Sequence, residues 1–218
     1  MNSKKTLQLL TAYKYMFRYK IDSILKILEG FEELSTSKQK QLDSLYNSFQ
    51  NPISDAAIES LAAEKQEWKI ILPRTLCEAL LFLCYSILEK DMLQICDYYH
   101  KNKGTIALEN LAKKGREKAL IFLQEIMKVK ITHSIATNEY ISILNKIRNK
   151  LIHSDRTITD QGLLKRLVDI SNKYNLSLIT KENPSLELNE EFIRWAINNI
   201  ILYFNELILD IEESNIEL

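Results

Sequence analysis

Glycine and proline are scarce in this chain, with only 4 Gly and 3 Pro among 218 residues, and no other feature narrows the fold as much. A turn-rich β protein needs both residues at its reversals. Their absence over long stretches leaves extended helices as the economical solution. The apolar residues agree. Leu9, Leu10, Tyr13, Met16, Phe17, Ile21, Ile24, Leu25 and Leu28 recur at spacings of three and four, the signature of an amphipathic helix. The chain therefore reads as all-α, a helical bundle around a long central apolar helix.

The helices can be placed from their stop and start signals. The first is expected over Lys5 to Glu29, with Gly30 ending it, and the second from a Ser35 or Ser37 cap to about Gln50. Asn51-Pro52 interrupts the chain, and Ser54 caps a third helix through Trp68. Pro73, tolerated in a first turn, opens the next helix, which is apolar nearly all round from Leu76 to Leu93 and so belongs at the centre of the bundle. Shorter helices are expected near Ile106 to Lys113 and Arg116 to Lys128. A helix from Thr137 or Asn138 to about Ile152 follows, then one from Thr159 to about Lys173. Alternation around Lys181-Glu182-Asn183-Pro184 predicts a small β-hairpin over 176–188. Asn189 caps a last helix, Glu190 to about Glu213.

Charge and cysteine content exclude several classes. The 29 basic and 29 acidic residues cancel, so a general electrostatic grip on nucleic acid is not expected, although a local basic patch remains compatible. Cys77, Cys84 and Cys96 lie in one apolar helical stretch without metal-pair spacing, and read as buried structural thiols. The N-terminal stretch lacks the apolar run of a signal peptide, and Leu76 to Leu88 is too short to span a bilayer. A cytoplasmic protein without membrane partners is the expectation. No metal site or organic cofactor is implied, since there is no Gly-rich phosphate loop, His-Glu-x-x-His motif or nucleophile elbow.

The segment from Arg148 to His153 is where chemistry is expected. On an ideal helix Tyr140, Leu144, Ile147 and Leu151 form an apolar face, while Ser142, Asn145, Asn149 and His153 step along the opposite side. Imidazole is the side chain that titrates nearest neutrality, and a cation is favoured at a helix C-terminus. Arg148 and His153 are five residues apart and diverge by about 140°. One copy converges them poorly, whereas two copies about a two-fold axis could supply both to a shared cleft. An Arg-Asn pair followed at this distance by His is expected only about 0.02 times by chance in such a composition.

Arg148-Asn149-Lys150-Leu151-Ile152-His153 resembles the Arg-Asn-x-x-x-His signature of HEPN domains, and the helix order from about Pro73 to Glu213 is similar. The resemblance implies residues 73–218 as a HEPN-like bundle, with residues 1–72 as a helical N-terminal extension. It also implies metal-independent RNA cleavage at a homodimer interface, as in toxin–antitoxin and phage-defence systems, with RNA and an antitoxin or regulatory protein as partners. By that resemblance His153 is the general acid or base, Arg148 binds the scissile phosphate, and Asn149 orients the histidine or the phosphate. Arg and His together supply charge stabilisation and proton transfer without a metal. Family members with a tyrosine two residues after the histidine are nucleotidylated there; this chain has Asp155.

Plainer readings stand beside these. His153 could be a solvated helix-end residue, and His100 and His133 read as surface or loop positions. Glu78, a carboxylate in an apolar run, needs a partner. That partner is either Arg148, which would make Glu78 a support for the site, or Arg74 one turn earlier. Lys146, Lys150 and Arg156 beside the motif are candidate RNA contacts. The denser cluster Lys113, Lys114, Arg116 and Lys118 reads first as a solvated face. Tyr98-Tyr99 could stack a base. The alternative function is a non-catalytic RNA- or nucleotide-binding or helical interaction module; a third reading is a scaffold in which the motif is coincidental.

Overall fold

The computed structural model describes residues 3–48, 54–153, 156–174 and 185–214. It is an all-α helical bundle. The helices are α1 (Ser3–Ser48), α2 (Asp55–Gln66), α3 (Leu72–Lys103), α4 (Gly115–Ile121), α5 (Ile135–Ile152), α6 (Gln161–Tyr174) and α7 (Glu190–Glu213). Two π turns, Glu67–Ile71 and Phe122–Ile126, and a 3₁₀ turn, Leu108–Asn110, complete the helical elements among the described residues.

Where the sequence suggested breaks at the N-terminal end, the helices run on. Gly30 lies inside α1, not at its end, and a Cβ built there meets nothing within 4 Å. A mid-helix glycine costs about 1 kcal/mol. Against that, α1 buries Leu10, Phe17, Ile21, Ile24, Leu28, Ser35 and Leu42, a stripe that continues through the glycine in steps of three, four and seven. Ser35, expected as a cap, is part of that stripe. Its hydroxyl donates to the carbonyl of Trp68 at 3.1 Å.

Pro73 does not start a separate helix either. Residues 55–103 form one continuous helix whose π turn, Glu67–Ile71, ends two residues before the proline and contains Lys69, the residue four before it. Proline lacks the N–H that would bond the carbonyl four residues earlier, and its ring crowds that carbonyl. A π turn widens the ladder at that point and absorbs the defect.

The chain packs as two compact units. One comprises Met1–Asp22, Leu81–His153 and Trp195–Leu218, and the other Ser23–Leu80 and Ser154–Arg194. Helices α1, α3 and α7 each supply residues to both. In the first unit Phe17 and Phe204 stack with ring centroids 4.0 Å apart. Tyr85, Leu88, Met92 and Cys96 of α3 and Ile141, Leu144 and Ile147 of α5 are buried in that unit as well. In the second unit Phe31 stacks on Trp68, and Arg194 donates to both carboxylate oxygens of Glu32 at 2.7 Å. Leu163, Leu167 and Ile170 form the buried stripe of α6.

α3 is not enclosed on all sides. Leu83 is 43% exposed, and Ile70 and Ile71 lie outward just before the helix. By length and composition alone, helix 55–103 contains an 18-residue window apolar enough to cross a membrane, longer than the Leu76 to Leu88 run considered from the sequence. A soluble core helix satisfies the same criterion, so the window decides nothing about location. Cys77, Cys84 and Cys96 are buried and free, and burial pushes each thiol up to about 12, which keeps them protonated and unreactive.

Most of the hairpin expected over 176–188 lies outside the described residues. Within them, Ser185 forms an antiparallel bridge with Thr157, and the Leu186 N–H donates to the Arg156 carbonyl at 2.9 Å. Helix α7 starts where Asn189 predicted, with the Phe192 N–H donating to Asn189 Oδ1 at 2.9 Å. Asp160 caps α6 in the same way, through Leu163 N–H at 3.0 Å. The helix expected over Ile106 to Lys113 is reduced to the 3₁₀ turn Leu108–Asn110. Gly104, at φ +63°, ends α3 in the left-handed conformation glycine tolerates best.

Candidate functional site

Helix α5 carries the motif, and its N-terminus is tied down by one buried carboxylate of α7. Asp210 accepts from Thr132 N–H and Oγ1 (both 2.9 Å), His133 N–H (2.7 Å), Ser134 N–H (3.1 Å) and Ser134 Oγ (2.6 Å). Thr137 Oγ1 adds a bond to Glu206 at 2.5 Å. The partial positive charge of a helix start favours both acidic neighbours. From there the polar and apolar faces broadly follow the pattern read from the sequence. Leu144, Ile147 and Leu151 are buried as expected and Tyr140 is half-buried, with Ile141 and Ile143 buried in addition, while Ser142, Asn145 and Asn149 turn toward α4 or solvent.

Along that polar side runs a cleft of about 370 Å³, lined by Glu89, Lys114, Gly115, Arg116, Glu117, Asn145, Arg148 and Asn149. Arg148 forms part of its wall. Its guanidinium lies 5.2 Å from the Tyr85 ring centroid, within cation–π range, and its Nη2 is 3.9 Å from Glu89 Oε2. That separation is a loose ion pair. The side chains are 23% and 21% exposed, so the guanidinium is braced on one side and open on the other.

Arg116, read first as part of a solvated basic run, is only 7% exposed. Its Nη1 donates to Asn138 Oδ1 at 2.5 Å and its Nη2 to Ser142 Oγ at 3.2 Å, and its guanidinium carbon lies 5.9 Å from the Tyr203 ring centroid. Its backbone N–H donates to Glu89 Oε1 at 3.2 Å. Glu89 thus touches both arginines. Burial pushes the Tyr85 hydroxyl up to about 12, opposed by the charges of Arg116 and Arg148, and burial also raises Tyr203. Both remain phenols at neutral pH.

Gly115 makes the close approach of Glu89 feasible. Its φ is +54°, and a Cβ there would lie 2.3 Å from Glu89 Oε1. Gly115→Ala is therefore expected to cost about 1–2 kcal/mol from backbone conformation alone. The steric clash adds to this, and a thermal melt should show a clear drop. In the Glu89→Ala background the same change should cost less, because only the backbone strain remains.

His153 follows the last helical residue of α5, at φ −86° and ψ 11°, with its N–H donating to the Asn149 carbonyl at 3.3 Å. It is exposed. The cleft lining contains Arg148 and Asn149 but not His153, which sits one turn beyond Asn149, about 6 Å along the axis. The structure therefore unites Arg148, Asn149, Asn145 and Arg116 and leaves the imidazole at the helix end.

The carboxylate beside Arg148 is Glu89, not Glu78. Glu78 Oε1 lies 2.6 Å from Arg156 Nη2 and 3.7 Å from Arg74 Nε, close ion pairs without linear hydrogen-bond geometry. Eleven residues separate Glu78 from Glu89, which places them on the same face of α3 about 16 Å apart. Of the two partners weighed for Glu78, Arg74 is the one beside it, and Arg148 pairs instead with Glu89. Arg156, a candidate RNA contact, is held by Glu78, while Lys146 is exposed and Lys150 half-buried. Tyr99 packs edge-on against Phe122. His133 is exposed beside Glu213, with Nε2 and Oε2 2.8 Å apart. No protein-family model, curated protein or solved structure matches the chain.

Proposed function

We propose that the protein is a metal-independent endoribonuclease of HEPN type that works as a homodimer. Arg148 holds the scissile phosphate, Asn149 orients it, and His153 moves the proton. The observation that carries this reading is the contrast on one helix: a guanidinium braced in a polar cleft and, one turn on, an imidazole in solvent. The first suits charge stabilisation and the second suits proton exchange.

In the proposed reaction the ribose 2′-hydroxyl attacks phosphorus while one His153 takes its proton. The bond from phosphorus to the 5′-oxygen breaks, and the leaving oxygen receives a proton back from the same imidazolium, directly or through water. The products are a 2′,3′-cyclic phosphate and a 5′-hydroxyl, with no net change in protons. Such an activity needs restraint in the cell, which is why an antitoxin or regulatory partner and a toxin or phage-defence role belong to this proposal.

The position of His153 outside the cleft lining favours a second reading, a binding module that holds RNA or a nucleotide and cuts nothing. Subunit mixing separates them. Arg148→Ala and His153→Ala homodimers should each be inactive on RNA in EDTA. Dissociated and reassociated together, they should regain up to about half the wild-type rate per heterodimer, since one composite site of two is intact. Binding without cleavage by wild-type protein would establish the second reading. Inactivity of the mixture beside an active wild type would remove the shared site.

A further inference from the structure

We propose that the cleft between α4 and α5 is a phosphate seat in which Arg116 is a second cationic ligand beside Arg148, and that Glu89 is the carboxylate the incoming phosphate displaces. The identity of that phosphate, as part of an RNA strand, rests on the nuclease reading. The seat itself rests on the cleft.

Three observations carry it. The lining sets three cationic side chains, Lys114, Arg116 and Arg148, against two carboxylates, Glu89 and Glu117, in a chain whose formal charge is zero. Arg116 is more than nine-tenths buried, its guanidinium held by Asn138 and Ser142 and lying against the Tyr85 and Tyr203 hydroxyls, while the Nε of Arg148 has no hydrogen-bond partner among the described residues. Buried donors are rarely left unmet, and those of a charged group are the costliest to leave so. Two guanidiniums on one small cleft, one of them half-open with an unmet donor, ask for an anionic acceptor, and the fork geometry of arginine suits the tetrahedral oxygens of phosphate. The Asn145 and Asn149 amides add neutral donors to the lining. A volume of about 370 Å³ lies at the lower end of ligand-sized clefts, roughly 300–1,000 Å³.

Glu89 explains how the site rests when empty. It accepts from the Arg116 backbone N–H and sits 3.9 Å from Arg148, near enough to neutralise the guanidinium and too far to lock it. A phosphate approaching Arg148 must compete with this carboxylate and is repelled by it. Replacing the carboxylate by a neutral amide, which still offers an acceptor oxygen, should therefore tighten phosphate binding.

The test is calorimetric titration of the full chain with inorganic phosphate and, separately, with a 2′-O-methyl RNA hexamer that cannot be cleaved. Glu89→Gln should bind both probes about tenfold more tightly, and Arg148→Ala about tenfold more weakly. Arg116→Lys, which keeps the charge but loses the fork, should weaken both. Should that variant melt early, Glu89→Gln alone decides, because a merely structural Glu89 would not raise affinity when neutralised. Lys101→Gln, on the exposed end of α3, should change nothing. The seat is overturned if wild type shows no saturable binding of either probe at about 10 mM, or if Glu89→Gln and Arg148→Ala leave affinity unmoved. RNA binding alone, without phosphate binding, also counts against it, since the phosphate group is the proposed ligand. Binding that follows Glu89 and Arg148 without any cleavage of unmodified RNA keeps the seat and removes the nuclease; cleavage without that binding pattern does the reverse.

Discussion

Replacing His153 with alanine is expected to lower RNA cleavage by about 10²–10⁴-fold, the range typical for loss of a positioned general acid or base. The same change should leave the fold nearly untouched. The imidazole is exposed at the end of α5, where the favourable interaction of a cation with the helix dipole is worth only about 0.3–1 kcal/mol. Single-turnover cleavage in EDTA, read beside a thermal melt and RNA affinity, distinguishes chemistry from structure. Loss of rate with melting and affinity preserved supports proton transfer by His153. A rate within about threefold of wild type would place the chemistry elsewhere, since a positioned proton-transfer group contributes far more than that.

The faces of one helix differ in how much of their role is legible in the sequence. The limits of α7, the end of α5 and the opposition of Leu144, Ile147 and Leu151 to Ser142, Asn145 and Asn149 were legible because helical periodicity is a local signal. Gly30 and Pro73 misled because they are equally local, and long-range burial overrode them: one apolar stripe continues through Gly30, and a π turn accommodates Pro73. Arg116 was unreadable for the opposite reason. Nothing within its run of lysines signals that Asn138 and Ser142, more than twenty residues on, receive its guanidinium. Glu89 shows an intermediate case. A carboxylate four residues after a buried Tyr85, at the polar edge of an apolar helix, could have been weighed beside Glu78, but choosing between two residues on one face needs the position of α4 and α5.

Asp210→Asn is expected to destabilise the protein by about 3–5 kcal/mol, the largest effect of any single polar substitution proposed for this chain. Every partner of the Asp210 carboxylate is a donor: three backbone N–H groups and two hydroxyls, from Thr132, His133 and Ser134. An asparagine keeps the shape but turns one acceptor into an N–H₂ group facing donors, with nowhere to move in a site of zero exposure. At about 2–4 °C per kcal/mol for a chain of this size, the melting temperature should fall by about 10 °C. Burial opposes ionisation of Asp210, but the hydrogen bonds from Ser134, His133 and Thr132 outweigh it and hold the carboxyl below its ordinary range. A carboxylate lowered on folding stabilises the native state above its unfolded value of about 3.9, and that contribution disappears as pH falls through the folded value. The gap between wild type and Asp210→Asn should therefore be full at neutral pH and at pH 5, and narrow below about pH 4 as wild type alone becomes protonated. A gap that stays constant to acid pH would mean that the carboxylate charge is not what secures Thr132 to Ser134. Because these residues lead directly into Ile135, releasing them frees the start of the helix that holds Arg148 and Asn149 in the cleft, and activity should fall before the protein unfolds.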